Sequence, residues 1–63
     1  MEKLIENWDA IKALFESAEA DFVKFTEKGN NAAGTRVRKA MLELKKLAQD
    51  VRVGVQDIKN AEN

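Results

Sequence analysis

Apolar residues recur along the first half of the chain at Leu4, Trp8, Ile11, Phe15, Ala18, Phe22 and Phe25, in steps of 4, 3, 4, 3, 4 and 3. The second half repeats the rhythm at Val37, Met41, Leu44, Ala48, Val51, Val55 and Ile58. Such spacing returns side chains to one face of an α-helix, whereas a strand would need strict alternation. In heptad notation Leu4 and Val37 are d and Trp8 and Met41 are a, so each segment carries an unbroken a/d seam. Ile5 at e and Leu14 and Leu47 at g widen the stripe towards the three-in-seven apolar share typical of bundle helices.

Between the two seams lies Glu27-Lys28-Gly29-Asn30-Asn31. Gly29 suits the left-handed position just past a helix end, and Lys28 suits the negative end of the helix dipole. Asn30 or Asn31 can cap the following helix by accepting from its free N–H groups. The pattern predicts an all-α fold: an antiparallel helical hairpin in a single domain spanning residues 1–63. Its parts are a helix over about 2–28, a turn at 29–31, a helix over about 32–60 and a frayed end at 60–63.

Two helices cannot cover an apolar face this wide, but four can. The expected solution is a homodimer of hairpins, a four-helix bundle with coiled-coil-like packing. Its core would be Trp8, Ile11, Phe15, Phe22, Val37, Met41, Leu44, Leu47, Val51 and Val55. Val23, Leu42 and Val53 fall outside that face, either solvated or part of a further contact.

Composition agrees with an oligomer. A chain of 63 residues allows one domain and buries only about 60% of its unfolded surface, so something must supplement the core. Disulfides and thiolate metal sites are excluded because there is no cysteine. Histidine is absent too, which removes the commonest general base and metal ligand. Glu2, Asp9 and Glu16 fall at outer b positions and Glu43, Asp50 and Asp57 at outer c positions, where carboxylates are ordinary solvated charges. The expectation is a non-enzymatic protein without cofactor, metal or small-molecule substrate. No apolar run approaches the roughly 18 residues of a membrane span. The N-terminus has no signal-peptide pattern, so a cytoplasmic location is expected.

Net charge is zero, but the average hides a split. Residues 1–31 carry seven acids against four lysines, or −3, and residues 32–63 carry seven bases against four acids, or +3. On the second helix Arg38, Lys45, Arg52 and Lys59 repeat every seven residues, all at e, with Lys39 and Lys46 beside them at f. The f lysines each have an acid four residues on, Glu43 and Asp50. The e row is poorer in partners: only Lys59 finds one on its own helix, Glu62, and across a tight turn Glu19 can approach Arg38. Cations about 10 Å apart on a rigid helix can contact phosphates. They can equally pair with acids on another protomer, as e and g charges do in coiled coils. The pattern leaves both readings open.

A second candidate is the turn. Ala32-Ala33-Gly34-Thr35-Arg36 opens the second helix, where free N–H groups and the dipole favour an anion. Gly34 would let a phosphate or another backbone come close, with Thr35 and Arg36 placed to donate. The plainer alternative is a small-residue turn that lets two helices meet.

The run from Glu27 to Ala40, Glu27-Lys28-Gly29-Asn30-Asn31-Ala32-Ala33-Gly34-Thr35-Arg36-Val37-Arg38-Lys39-Ala40, followed by Leu42-Glu43-Leu44-Lys45-Lys46-Leu47, resembles the bacterial linker-histone-like family of the chlamydial type. The likeness covers roughly residues 27–52 and is to a short form, without the lysine-rich tail of the longer members. It implies binding to duplex DNA and compaction of the nucleoid, without catalysis or cofactor. The basic residues that match by position are Arg36, Arg38, Lys39, Lys45 and Arg52. With the turn and the end of the e row, the candidate DNA-contacting set is Gly34, Thr35, Arg36, Arg38, Lys39, Lys45, Arg52 and Lys59. A protein-interaction module acting through its helix surfaces, and an RNA-binding hairpin dimer, are the competing readings.

Overall fold

The computed structural model describes residues 1–62, with side chains through residue 61. Two helices, α1 (Glu2–Lys28) and α2 (Asn31–Glu62), account for nearly all of them. They pack against each other over their length into a rod of 51 × 15 × 13 Å. The expected all-helical hairpin is present.

The turn is two residues long, one fewer than the spacing suggests, because the capping groups fall at its very ends. Gly29 adopts the left-handed conformation (φ 66°, ψ 25°). Its N–H donates to the Phe25 carbonyl at 3.1 Å, and the Asn30 N–H reaches the Lys24 carbonyl at 3.3 Å. Those two bonds occupy carbonyls that the end of α1 would otherwise leave open. Asn30 caps α2: its side-chain Oδ1 accepts from the Ala33 N–H at 3.1 Å, and its carbonyl accepts from Gly34 at 3.2 Å. Asn31 is thereby already helical. At the far end α2 continues through Glu62 where fraying was expected, with Gln56 Nε2 donating to Asn60 Oδ1 at 3.1 Å; Asn63 lies outside the described residues.

Nothing lies within 4 Å of the space a Cβ would take at Gly29, so a substitution there would test the backbone alone. Gly29→Ala should destabilise by about 1–2 kcal/mol, the cost of a left-handed L-residue. Thermal melting followed by circular dichroism should show a midpoint several degrees lower; an unchanged midpoint would mean that the chain turns elsewhere.

Which apolar positions face inward differs from the expected a/d seam. The half-buried residues of α1 are Leu4, Asn7, Ile11, Leu14 and Asp21, with Ala18 buried. On α2 they are Gly34, Val37, Ala40, Leu44, Leu47, Val51, Gly54 and Ile58, with Ala33 buried. Apart from Gly34, these are d and g positions. The a positions stay outside: Trp8, Phe15 and Phe22 are 58%, 60% and 55% exposed, and Met41 and Val55 are also exposed. Of the expected core, Ile11, Val37, Leu44, Leu47 and Val51 are therefore covered within one chain, while Trp8, Phe15, Phe22, Met41 and Val55 are not. Small g residues cause this. Glycine or alanine at 33, 40 and 54 leaves room on the g side of α2 for side chains of α1, and a Cβ on Gly54 would stand 3.0 Å from Leu4 Cδ1. Phe25, at d, lies over Gly34, where a Cβ would meet its ring at 2.6 Å.

A single hairpin is short of core. Among the described residues only Ala18 and Ala33 are buried. The Cα radius of gyration is 15.0 Å, against about 11 Å for a compact chain of this length. Accessible surface is 5222 Å² for 7.1 kDa, where a compact monomer would expose about 4,100 Å².

Candidate functional site

Two surfaces stand out on the hairpin: the basic edge of α2 and the apolar face beside it. Their positions follow from the helical wheel. With d and g turned towards the other helix, a lies a quarter turn away and e follows it, so the e cations of α2 flank the row of a residues. The a rows of the two antiparallel helices share one face. Along it run two shallow grooves, of about 520 Å³ between Phe15, Phe22, Val37 and Met41 and about 350 Å³ between Leu4, Ile5, Trp8, Val51 and Val55.

The turn candidates are engaged within the chain. Gly34 lies beneath the Phe25 ring, so its missing side chain serves helix packing and leaves no approach for a phosphate there. Thr35 Oγ1 donates back to the Asn31 carbonyl at 3.3 Å. Arg36 donates through Nε and Nη2 to Asp21 Oδ1 at 3.0 and 2.9 Å, forming the one ion pair among the described residues. The hydrogen bond from Arg36 holds the Asp21 carboxyl below its ordinary value, and the same bond raises the Arg36 guanidinium. Both stay charged at neutral pH, and Arg36 is committed to joining α2 to α1. The first-turn N–H of Ala33 is likewise taken by Asn30.

The edge of α2 is different. Arg38, Lys39, Lys45, Lys46, Arg52 and Lys59 are all exposed. None makes an ion pair among the described residues: Glu19 does not reach Arg38, nor do Glu43 and Asp50 close on Lys39 and Lys46. Arg52 Nη1 has a long hydrogen bond to Gln49 Oε1 at 3.4 Å. The suggested pairing of Lys59 with Glu62 involves a side chain outside those described. An open groove of about 800 Å³ follows this edge past Leu42, Lys45, Gln49 and Arg52. Eight candidate residues thus separate into Gly34, Thr35 and Arg36, which build the hairpin, and Arg38, Lys39, Lys45, Arg52 and Lys59, which line its outside.

The candidate set leaves out Lys46, although it belongs to this edge; like Lys39 it has an i+4 acid that does not pair with it, and only Lys39 is brought into the set by the resemblance. Asp21 was missed as the Arg36 partner because the two lie 15 residues apart, and only the register of the hairpin joins them. Val23, Leu42 and Val53 are exposed, Leu42 to 66%. No described helix is long and apolar enough to cross a membrane. Among the described residues no group of acids is placed to hold a metal ion, and Ser17 donates its hydroxyl proton to the Leu14 carbonyl at 2.9 Å.

Compared with known families, residues 5–61 match the family described as Histone H1-like protein Hc1. The match reaches well beyond the turn region, into both helices. Comparison with curated proteins and with solved structures finds no match in either.

Proposed function

Because the chain belongs to the histone H1-like Hc1 family, we propose that it binds duplex DNA without sequence preference, as a homodimeric four-helix bundle that helps organise a bacterial nucleoid. Contacts run from the edge of α2, through Arg38, Lys39, Lys45, Lys46 and Arg52, to phosphate oxygens. The observation that carries this reading is the row of exposed cations with no ion pair among the described residues, along 15 residues of rigid helix from Arg38 to Arg52. Phosphate contacts need charge on a rigid frame and no base-reading groups, so a helix edge without a protruding loop suffices. Neither catalysis nor a cofactor has a role in that function.

Electrostatic binding of this kind is measured by its salt dependence. Fluorescence anisotropy with two unrelated duplexes of equal length should give similar affinities. The logarithm of the binding constant should fall with the logarithm of salt concentration at a slope of about −3 to −5, from three to five neutralised phosphates. No binding by the intact dimer at low salt would overturn the proposal. Competition by structured RNA at equal concentration should be the weaker, and the reverse result would move the assignment to RNA.

Exposed Leu42 supports a second reading, a helical protein-interaction module. It calls for association that salt does not weaken, through Val23, Leu42 or Val53.

A further inference from the structure

We propose that the second copy docks with its α1 against α2 of the first, about a two-fold axis parallel to the helices, so that both turns lie at one end of the bundle. This rests on the homodimer reading and adds the arrangement within it. The occupant is a second copy because the uncovered face has the right size. The hairpin exposes roughly 1,100 Å² more than a compact chain of its mass, comparable to the ~800 Å² per partner of a standard interface.

Two face-to-face arrangements keep all neighbouring helices antiparallel. With the axis along the helices, α1 meets the other copy's α2. With the axis across them, α1 meets α1 and α2 meets α2. Side-chain size separates the two. The a row of α1 is Trp8, Phe15 and Phe22, and that of α2 is Met41, Ala48 and Val55.

Heights along the rod follow from the contacts of Phe25 with Gly34, Asp21 with Arg36 and Leu4 with Gly54. They set Phe22 level with Val37, Phe15 with Met41 and Leu44, and Trp8 with Ala48 and Val51. An axis along the rod preserves these heights. Each aromatic ring of one copy then meets a smaller residue of the other, the large-on-small alternation that fills a core. An axis across the rod stacks Phe15 on Phe15 and Trp8 on Phe22, and on the other side sets Met41 against Met41 and Ala48 against Val37, so that large residues crowd one half of the interface and smaller ones the other.

Charge gives the same answer independently. The half containing α1 carries −3 and the half containing α2 carries +3. Docking α2 on α2 would press the e row against itself, with Lys45 beside Lys45 and Arg38 beside Arg52. Docking α1 on α2 reduces that repulsion to Lys12 opposite Lys45 and brings the second copy's Glu19 to the height of Arg38. At Lys45 and Arg52 it brings Lys12 and Ile5, which neutralise neither, so those cations remain for phosphate. The two α2 helices then occupy diagonal corners, and their basic edges look outward on opposite sides. Such a dimer can hold two duplexes apart; paired α2 helices would present one broad face to a single duplex.

The chain has no cysteine, so one substitution gives one labelling site per protomer. Asn31→Cys, at the turn, and Lys3→Cys, at the opposite end, are both exposed positions. A nitroxide on either should show an interprotomer distance of about 15–30 Å by pulsed dipolar spectroscopy, the diagonal of a bundle with 8–10 Å interaxial spacing plus linkers. A distance approaching the 51 Å length of the rod at both sites would overturn the arrangement and leave the homodimer standing. Absence of dipolar coupling together with a monomer mass by light scattering would overturn the homodimer and the arrangement with it.

Discussion

Phe15→Asp is expected to leave a monomer that has lost most of its helical circular dichroism. A chain of this length has about 3–9 kcal/mol of stability in total. Removing a phenylalanine from a packed interface costs about 3–5 kcal/mol, and the carboxylate adds its own desolvation. Within one hairpin, however, Phe15 is 60% exposed, so most of that loss can arise only if another molecule covers it. Leu44→Asp is the comparator. Leu44 sits at a half-buried d position inside the hairpin, and its replacement should unfold the chain whether or not a dimer forms. Unchanged mass and helicity in Phe15→Asp, alongside collapse of Leu44→Asp, would show that the aromatic face is not the interface. Unchanged helicity in both would refute the seam.

Reversing charge on the α2 edge should produce the other large effect. Arg38→Glu combined with Arg52→Glu removes two cations per protomer and installs two repulsive groups, on side chains that make no ion pair in the hairpin. Each charged hydrogen bond to phosphate is worth about 1.5–3 kcal/mol, so DNA affinity should fall by about a hundredfold or more and the salt slope should lose about two units. Helicity should hardly change, since both residues are exposed in the hairpin, and affinities are compared at a mass that light scattering shows to be that of the parent protein. If affinity survives this substitution, the nucleic-acid contact is not on this edge. If association with a protein partner survives while DNA binding is lost, the surface of Leu42 is the place to look for that second role.

These two experiments probe features of unequal legibility. The cation row at 38, 45 and 52 is visible as a period of seven, because the helix repeats its faces nearly every two turns. Its freedom from partners was only half visible. Neighbours at i+4 can be counted, and the spacing offers Lys39 and Lys46 acids that they do not grip. Arg36, by contrast, looks like another member of the basic group, yet it belongs to Asp21. Thr35 and Gly34, which the sequence offers as anion contacts, serve the hairpin for a related reason: the Asn31 carbonyl and the Phe25 ring reach them only once the turn has closed.

By itself the sequence determined both helices, the bend at Gly29, a cap at Asn30 or Asn31 (the closed turn chose Asn30) and the opposite charges of the two halves. All of these depend on short-range physics: side-chain periodicity, the left-handed preference of glycine, and an amide oxygen within reach of the next turn. Tertiary structure alone decided which part of the broad apolar stripe each helix gives to the other. The stripe includes a, d and g positions, and a heptad pattern does not rank them. Small residues at Ala33, Ala40 and Gly54 ranked them, turning d and g inward because they leave room there for the other helix, as Gly54 does for Leu4. That choice left Trp8, Phe15 and Phe22 on the surface, and with them the need for something to cover them.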